Sequence, residues 1–169
     1  MGRNRGFSLI ELLIVVAIIL IIAAIAIPNL LRARIAANEA SAANSIRKIA
    51  TAEVAYATAF PTVGYSPDLV SLGGPASNCT PSQTTACILD YVLSGGIKQG
   101  YQFVAVGSTG SGGSLNTAFV AGSAPQSFNQ TGVRNFCAIT DGVLRSTNGS
   151  SSTPPANNQA TCLAYPVAQ

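Results

Sequence analysis

The sequence predicts an α+β protein in which one long N-terminal helix packs on a small antiparallel sheet, and the first half of that helix spans a membrane. Three observations lead to this prediction. Residues 7–27 form a nearly continuous apolar run, residues 29–60 are rich in alanine without any proline or glycine, and strand-like runs follow residue 100. We expect a leader at 1–6, the helix at 7–60 and a globular sheet domain at 61–169.

The apolar run from Phe7 to Ile27 has the length of a membrane span. Its 21 residues reach about 31 Å as a helix, which matches a bilayer core. The run contains one carboxylate, Glu11. Because a charge in hydrocarbon is costly, and this segment offers no partner, we expect the partner on another chain. The protein is then a subunit of an assembly.

Basic residues flank the span on both sides. Arg3 and Arg5 precede it, in a leader too short to translocate easily, so the leader should stay in the cytoplasm and the C-terminal body should lie outside. Arg32 and Arg34 follow the span and count against this orientation. We give them less weight than the leader.

A secretory signal peptide is the rival interpretation of the same run. The small residues at 23–26, Ala-Ala-Ile-Ala, are typical of a cleavage site. Two features oppose it: Glu11 lies inside what would be the hydrophobic region, and the helical pattern continues past Pro28 without a boundary.

The start of the span resembles a known family. Gly6-Phe7-Ser8-Leu9-Ile10-Glu11, an aliphatic run and Ile27-Pro28 together resemble the class III signal of type IV prepilins and the related pseudopilins. The close resemblance covers about residues 6–60. It implies a pilin-like fold, cleavage by a prepilin peptidase between Gly6 and Phe7, and N-methylation of Phe7. It also implies that Glu11 pairs with the Phe7 amine of a neighbouring subunit.

The sequence departs from this family at Leu20, where many members carry a glycine. Any break in the helix should then depend on Pro28 alone. Proline removes one backbone donor and clashes with the carbonyl four residues earlier, here that of Ala24. We expect a kink or a short melted stretch at 24–28.

The second half of the helix shows one apolar face. The residues Ile35, Ala42, Ile46, Ile49, Tyr56 and Phe60 recur at helical spacing, and Pro61 ends the helix. Glu39 and Glu53 lie on or near this face. They occupy edge positions or local ion pairs in one interpretation, and they contact other subunits in the other.

Residues 61–169 are predicted to form a long loop followed by strands. Residues 61–90 are rich in proline, serine, glycine and threonine, which predicts a long connecting loop. We expect about four antiparallel strands, at Tyr101–Val106, Thr117–Ala121, Arg134–Ile139 and Gly142–Ser146, with a hairpin turn at 140–142 and a flexible turn at 107–113.

Four cysteines, Cys79, Cys87, Cys137 and Cys162, follow the span. An exported location favours disulfides, and three pairings exist in principle. We favour Cys79–Cys87 and Cys137–Cys162, which join sequence neighbours. Metal ligation has little support, because the spacing is not that of a zinc site and the chain has no histidine.

The sequence offers no catalytic constellation and calls for no cofactor. Without histidine, Ser–His–Asp and Cys–His arrangements are excluded. The glycine-rich stretch at 107–113 lacks the Gly-Lys-Ser/Thr ending of a phosphate loop. A calcium site at Asp90 or Asp141 has little support. Removing the leader takes two of nine basic residues, so seven face six acidic ones, a balance without the excess typical of nucleic-acid binding.

The leading functional hypothesis is a structural subunit of a type IV pilus. The resemblance implies a helical homo-oligomer, a prepilin peptidase and an inner-membrane assembly platform as partners. It implies the inner membrane before assembly and the cell surface afterwards, with motility and adhesion as properties of the filament. One alternative is a pseudopilin of a type II secretion system, although four cysteines and few acidic residues favour the pilin. The other is a monomeric membrane-anchored binding domain, which Glu11 disfavours.

Overall fold

The computed structural model describes residues 7–110, 113–151 and 153–168. The chain divides into two compact units, Met1–Arg34 and Ile35–Gln169. The boundary between them lies inside the first helix, α1, which covers Leu9–Ala59. The second unit therefore begins earlier than the expected sheet domain at 61. The leader and its cleavage residue Gly6 lie outside the described residues.

The first unit consists of the N-terminal part of α1. This is the one helix in the described residues that is long and apolar enough to cross a membrane, judged by length and composition, and its most apolar 18-residue window has a mean hydropathy of 3.3. The helix starts after Ser8, whose carbonyl accepts a hydrogen bond from the Leu12 amide at 3.2 Å. Its many β-branched side chains lower the helix propensity of this segment in water. A bilayer favours the helix, because backbone N–H and C=O groups in hydrocarbon must form hydrogen bonds with each other.

Of the two alternatives expected at 24–28, the melted stretch is wrong for this structure, because α1 stays helical through Pro28; the kink stays a prediction. The proline removes one amide donor, and the Ala24 carbonyl loses its usual partner. The fixed φ of proline, about −65°, is close to that of a helix. Leu20 stands where a glycine would add a second weak point. One proline alone does not interrupt this helix.

In the second unit, α1 packs on the sheet with the apolar face that the spacing predicts. Its buried apolar residues are Ala42, Ile46, Ile49, Ala52 and Tyr56. They form one core with inward side chains of the sheet, namely Phe103, Ala105, Phe119, Ala121, Phe136 and Ala138. Ile35 and Phe60, at the ends of the predicted stripe, are only partly buried. The helix and this sheet face are the first two layers of the domain.

The sheet has five antiparallel strands in sequence order. They are β1 (Ile97–Lys98), β2 (Tyr101–Thr109), β3 (Asn116–Pro125), β4 (Arg134–Ile139) and β5 (Arg145–Asn148). The expected number of four omitted β1, because two residues show no periodicity. The turn into β2 places Gln99 at φ 46° and Gly100 at φ 73°, a backbone shape that favours glycine and suits a two-residue hairpin.

The last strand begins later than the expected Gly142. Cys137 pairs with Arg145 across β4 and β5, so the connection is longer than a tight hairpin. The Asp141 carboxylate accepts a hydrogen bond from the Val143 amide at 2.9 Å, and Gly142 has a φ of 70°. This local turn occupies residues that the sequence pattern had placed in the strand.

The other sheet face is covered by the C-terminal segment. Val120, Cys137 and Ile139 form a second core with Ala156 and Cys162. Cys162 lies in the short helix α4 (Gln159–Leu163), whose first turn is capped by the Asn158 side chain. Gly122 permits the close approach, because a Cβ at this position would collide with the backbone of Ala156. The domain thus has three layers.

Two disulfides close loops in the second unit. Cys79 and Cys87 are joined across 8 residues, in the connection between α2 (Leu69–Leu72) and α3 (Tyr91–Ser94). Cys137 and Cys162 are joined across 25 residues, which fastens α4 to β4. These are the pairs that the sequence analysis favours, and for the protein in solution they stay a prediction.

Peptide mapping of unreduced protein should recover Cys79–Cys87 and Cys137–Cys162. Replacing both Cys137 and Cys162 with serine should lower stability by about 3 kcal/mol, because this cross-link closes the longer loop. The matched variant with Cys79 and Cys87 replaced should lose less. Free thiols, or a Cys79–Cys137 peptide, would contradict this arrangement of the domain.

Candidate functional site

The apolar segment, residues 7–31, is the part of the molecule that most needs an explanation. Every large aliphatic or aromatic side chain in it is exposed, from 45% at Val16 to 80% at Phe7. The exposed residues surround the helix and do not form one stripe, so a single groove on a partner cannot cover them. Such a surface fits hydrocarbon, or a bundle of similar helices.

Glu11 caps the start of this segment. The Ser8 amide donates a hydrogen bond to Glu11 Oε2 at 3.0 Å, and the carboxylate lies in the first turn of α1, where the helix dipole favours negative charge. This contact was not among the predictions from the sequence. The spacing of Ser8 and Glu11 is that of a capping box, and this was the signal that could have found it.

Glu39 connects α1 to the start of β4 inside the second unit. Its Oε1 accepts hydrogen bonds from the amides of Val133 at 2.9 Å and Arg134 at 3.1 Å. Its Oε2 accepts one from Arg134 Nε at 2.8 Å. Both expected roles, a local pair or edge position and a contact with another subunit, are wrong for this residue. The partners are 94 and 95 residues away in the sequence, beyond the reach of a local pattern.

Glu53 is a fully buried carboxyl group, with 0% exposure. Its Oε2 accepts a hydrogen bond from the Ser66 amide at 2.8 Å, and its Oε1 is buried without a partner among the described residues. Burial raises the pKa of Glu53 from 4.5 to about 8; the Ser66 amide acts against this rise, and the nearby Asp68 adds to it. Glu53 is therefore mostly protonated at neutral pH, and the expected ion pair or subunit contact is wrong here too.

Tyr56 provides a third polar connection from α1. Its hydroxyl donates a hydrogen bond to the Gln83 carbonyl at 2.6 Å, in the loop that the Cys79–Cys87 disulfide closes. Glu39, Glu53 and Tyr56 thus join the C-terminal part of α1 to three separate segments. Together these hydrogen bonds attach the C-terminal part of α1 to the rest of the second unit.

The aspartates considered for calcium have other partners. Asp90 caps α3 and lies 3.7 Å from Lys98 Nζ, and Asp141 forms an ion pair with Arg145 at 2.5 Å. The hydrogen bond from Arg145 is the main cause that lowers the pKa of Asp141. In the ranges that the structure describes, no three metal-ligating side chains come together. The calcium prediction gains no support from the structure.

Comparisons with known proteins found one family model and two relatives. Residues 1–27 match the family described as "Prokaryotic N-terminal methylation motif". The type IV major pilin protein PilA of Myxococcus xanthus is 48% identical over 54 residues, which are 32% of this chain and 24% of that protein. The type IV wide pilus major component PilA4 of Thermus thermophilus is 64% identical over 39 residues, 23% of this chain and 30% of that protein.

The similarity is high but short. The chain spans less than a third of the length of either curated relative, and the matched stretches leave most of the second unit uncovered. No solved structure matches the chain.

Replacing Glu53 with glutamine should change how stability depends on pH. Because the folded-state pKa of about 8 exceeds the ordinary value, the contribution of Glu53 to stability is full below pH 4.5 and is lost as the pH rises to 8. The full chain in detergent should show a melting temperature that falls over this range. In the Glu53→Gln variant the melting temperature should decrease less over this pH range. At pH 8 it should lie about 4 °C or more above that of the parent.

Glu39→Gln is the matched control, because it also neutralises a buried carboxyl group of α1. It weakens the ion pair with Arg134 and should lower the melting temperature at pH 8. Parallel melting curves for Glu53→Gln and the parent between pH 5 and 9 would show that Glu53 is not protonated in the folded chain.

Proposed function

We propose that this chain is the structural subunit of a type IV pilus. The observation that carries the proposal is the apolar segment, which is exposed on all sides and begins with the methylation motif. The named relatives, both type IV pilus components, support the same function. The role is structural and not catalytic: the filament is built by packing many copies of this helix.

Processing precedes assembly in this proposal. A prepilin peptidase cuts between Gly6 and Phe7 and the new amino terminus at Phe7 is methylated, as the matched motif supports. The cut removes Arg3 and Arg5, which had held the leader in the cytoplasm. The uncut and the cut chain both stay in the inner membrane, anchored by residues 7–27, until an inner-membrane assembly platform adds them to the filament.

Transfer from bilayer to filament exchanges one apolar environment for another. The hydrophobic effect therefore provides little of the driving force between helices, because lipid tails are as apolar as leucine. Close packing and polar contacts must guide assembly. Glu11 is the one carboxylate in the first 34 residues, which makes it the natural group for such a contact.

Glu11 has two successive partners in this account. In the single chain it accepts the Ser8 amide. In the filament it also pairs with the methylated Phe7 amine of a neighbour, which becomes the nearest cation once the leader is removed. Residues 7 and 11 lie about 6 Å apart along the helix axis, so an axial stagger of this size brings the two groups together. In a water-excluded bundle this pair is much stronger than in water.

The second unit suits an extracellular filament surface. Two disulfides fasten its loops, as is typical of proteins outside the reducing cytoplasm. The relatives are pilus components, which favours a pilus over the pseudopilus of a secretion system. A monomeric anchored domain would gain only the helix cap at Ser8 from Glu11, and it would carry the cost of a carboxylate near hydrocarbon.

Substitution of Glu11 tests the proposal. Glu11→Val should leave membrane insertion and the cut after Gly6 intact, because an apolar residue favours the bilayer. It should lower the yield of surface filaments about tenfold or more, the effect of losing about 1.4 kcal/mol. The measurement compares membrane-fraction protein with sheared filaments, in a strain that lacks the native copy.

Glu11→Gln is the control that separates capping from charge. Glutamine keeps an oxygen that can accept the Ser8 amide, but it cannot form an ion pair with an amine. Both variants should lower the filament yield by a similar factor. Normal filaments from Glu11→Gln alone would reduce the role of Glu11 to helix capping, and normal filaments from Glu11→Val would remove the main physical reason for calling the chain a subunit.

A further inference from the structure

Two arginines follow the apolar segment without an obvious partner. Arg32 and Arg34 are both exposed, and neither forms an ion pair within the part of the chain that the structure describes. The sequence has no acidic residue between Glu11 and Glu39. Positive charge on this side of a span is also contrary to the usual bias toward the cytoplasmic side.

Their position along α1 corresponds to the lipid headgroup layer. Arg32 and Arg34 lie five and seven residues beyond Ile27, which places their Cα atoms about 7.5 and 10.5 Å past the end of the span. The headgroup layer is about 5–8 Å thick on each side of the hydrocarbon core. Side chains of an α-helix lean toward its N-terminus, here toward the bilayer. The two guanidinium groups therefore reach back into this layer.

The two arginines point to different sides of the helix. A separation of two residues turns the direction by about 200° in an α-helix. A single protein surface could contact one of them but not both. Headgroups surround a single helix on all sides and can contact both at once.

The acidic residues of other copies are not free to take this role. Glu39 and Glu53 are buried, Asp90 and Asp141 lie near Lys98 and Arg145, and Asp68 caps α2 by accepting the Ser71 amide. Glu11 is at the opposite end of the span. The charge of the two arginines is thus better matched by a lipid phosphate than by a second copy of this chain.

We propose that Arg32 and Arg34 bind anionic phospholipid headgroups on the non-cytoplasmic surface of the membrane and hold the unassembled subunit at a fixed depth. This inference depends on the membrane-anchored state in the proposed function. The contact offsets the unfavourable placement of positive charge outside. It is lost when the subunit leaves the bilayer, so headgroup binding opposes release and favours retention of unassembled subunits.

Lipid selectivity of the reconstituted chain tests the proposal. The full chain, with Arg3→Gln and Arg5→Gln to remove the leader's charge, is placed in phosphatidylcholine vesicles that contain spin-labelled phosphatidylglycerol or spin-labelled phosphatidylcholine. Electron spin resonance measures the motionally restricted fraction of each label. We expect a preference for phosphatidylglycerol of about fivefold for each arginine in contact with it, which falls as salt is added.

Arg32→Gln with Arg34→Gln should bring the preference close to one. The matched control, Arg47→Gln with Lys48→Gln, removes the same charge from exposed positions farther along α1 and should keep the preference. An unchanged preference in the Arg32/Arg34 variant, or an equal loss in the control, would overturn the proposal while leaving the membrane anchor intact. The absence of restricted lipid of either kind would show that the chain does not enter the bilayer and would overturn both.

Discussion

The exposed apolar surface of residues 7–31 is the constraint on which the rest of the account depends. Burying one aliphatic side chain is worth about 1.5–3 kcal/mol, so a segment with this many exposed residues carries a cost of tens of kcal/mol in water. Among the described residues, the two cores of the second unit are formed by residues of that unit alone. The chain needs a bilayer or other copies of the same helix around it.

The three glutamates of α1 show how one residue type takes three roles on one helix. Glu11 caps an exposed helix start, Glu39 is buried in an ion pair with several hydrogen bonds, and Glu53 is buried with one hydrogen bond and a raised pKa. The last two commit the C-terminal part of α1 to its own domain. Only Glu11 is left for a contact between subunits, which agrees with its place in the segment that requires a partner.

Local patterns predicted the elements that depend on local physics. The apolar run, the helical stripe from Ala42 to Tyr56 and three of the strands follow from periodicity, and the structure contains them. The destinations of Glu39 and Glu53 did not follow, because their partners come from distant loops that only the folded domain brings near. The strand β1 is too short to show a pattern, and the effect of Pro28 depends on whether neighbouring helical bonds compensate. In the candidate site, the importance of Glu11 was predicted from the free-energy cost of a carboxylate in lipid. Its hydrogen bond with the Ser8 amide was not predicted.

The composition of surface filaments tests the central claim most directly. Filaments are sheared from cells that express this chain, examined by electron microscopy, and analysed by intact mass and N-terminal sequencing. The account predicts filaments whose main component is this chain, beginning at N-methylated Phe7. A chain that is absent from filaments, or that begins after Ala24 or Ala26 as an ordinary secreted protein would, contradicts it.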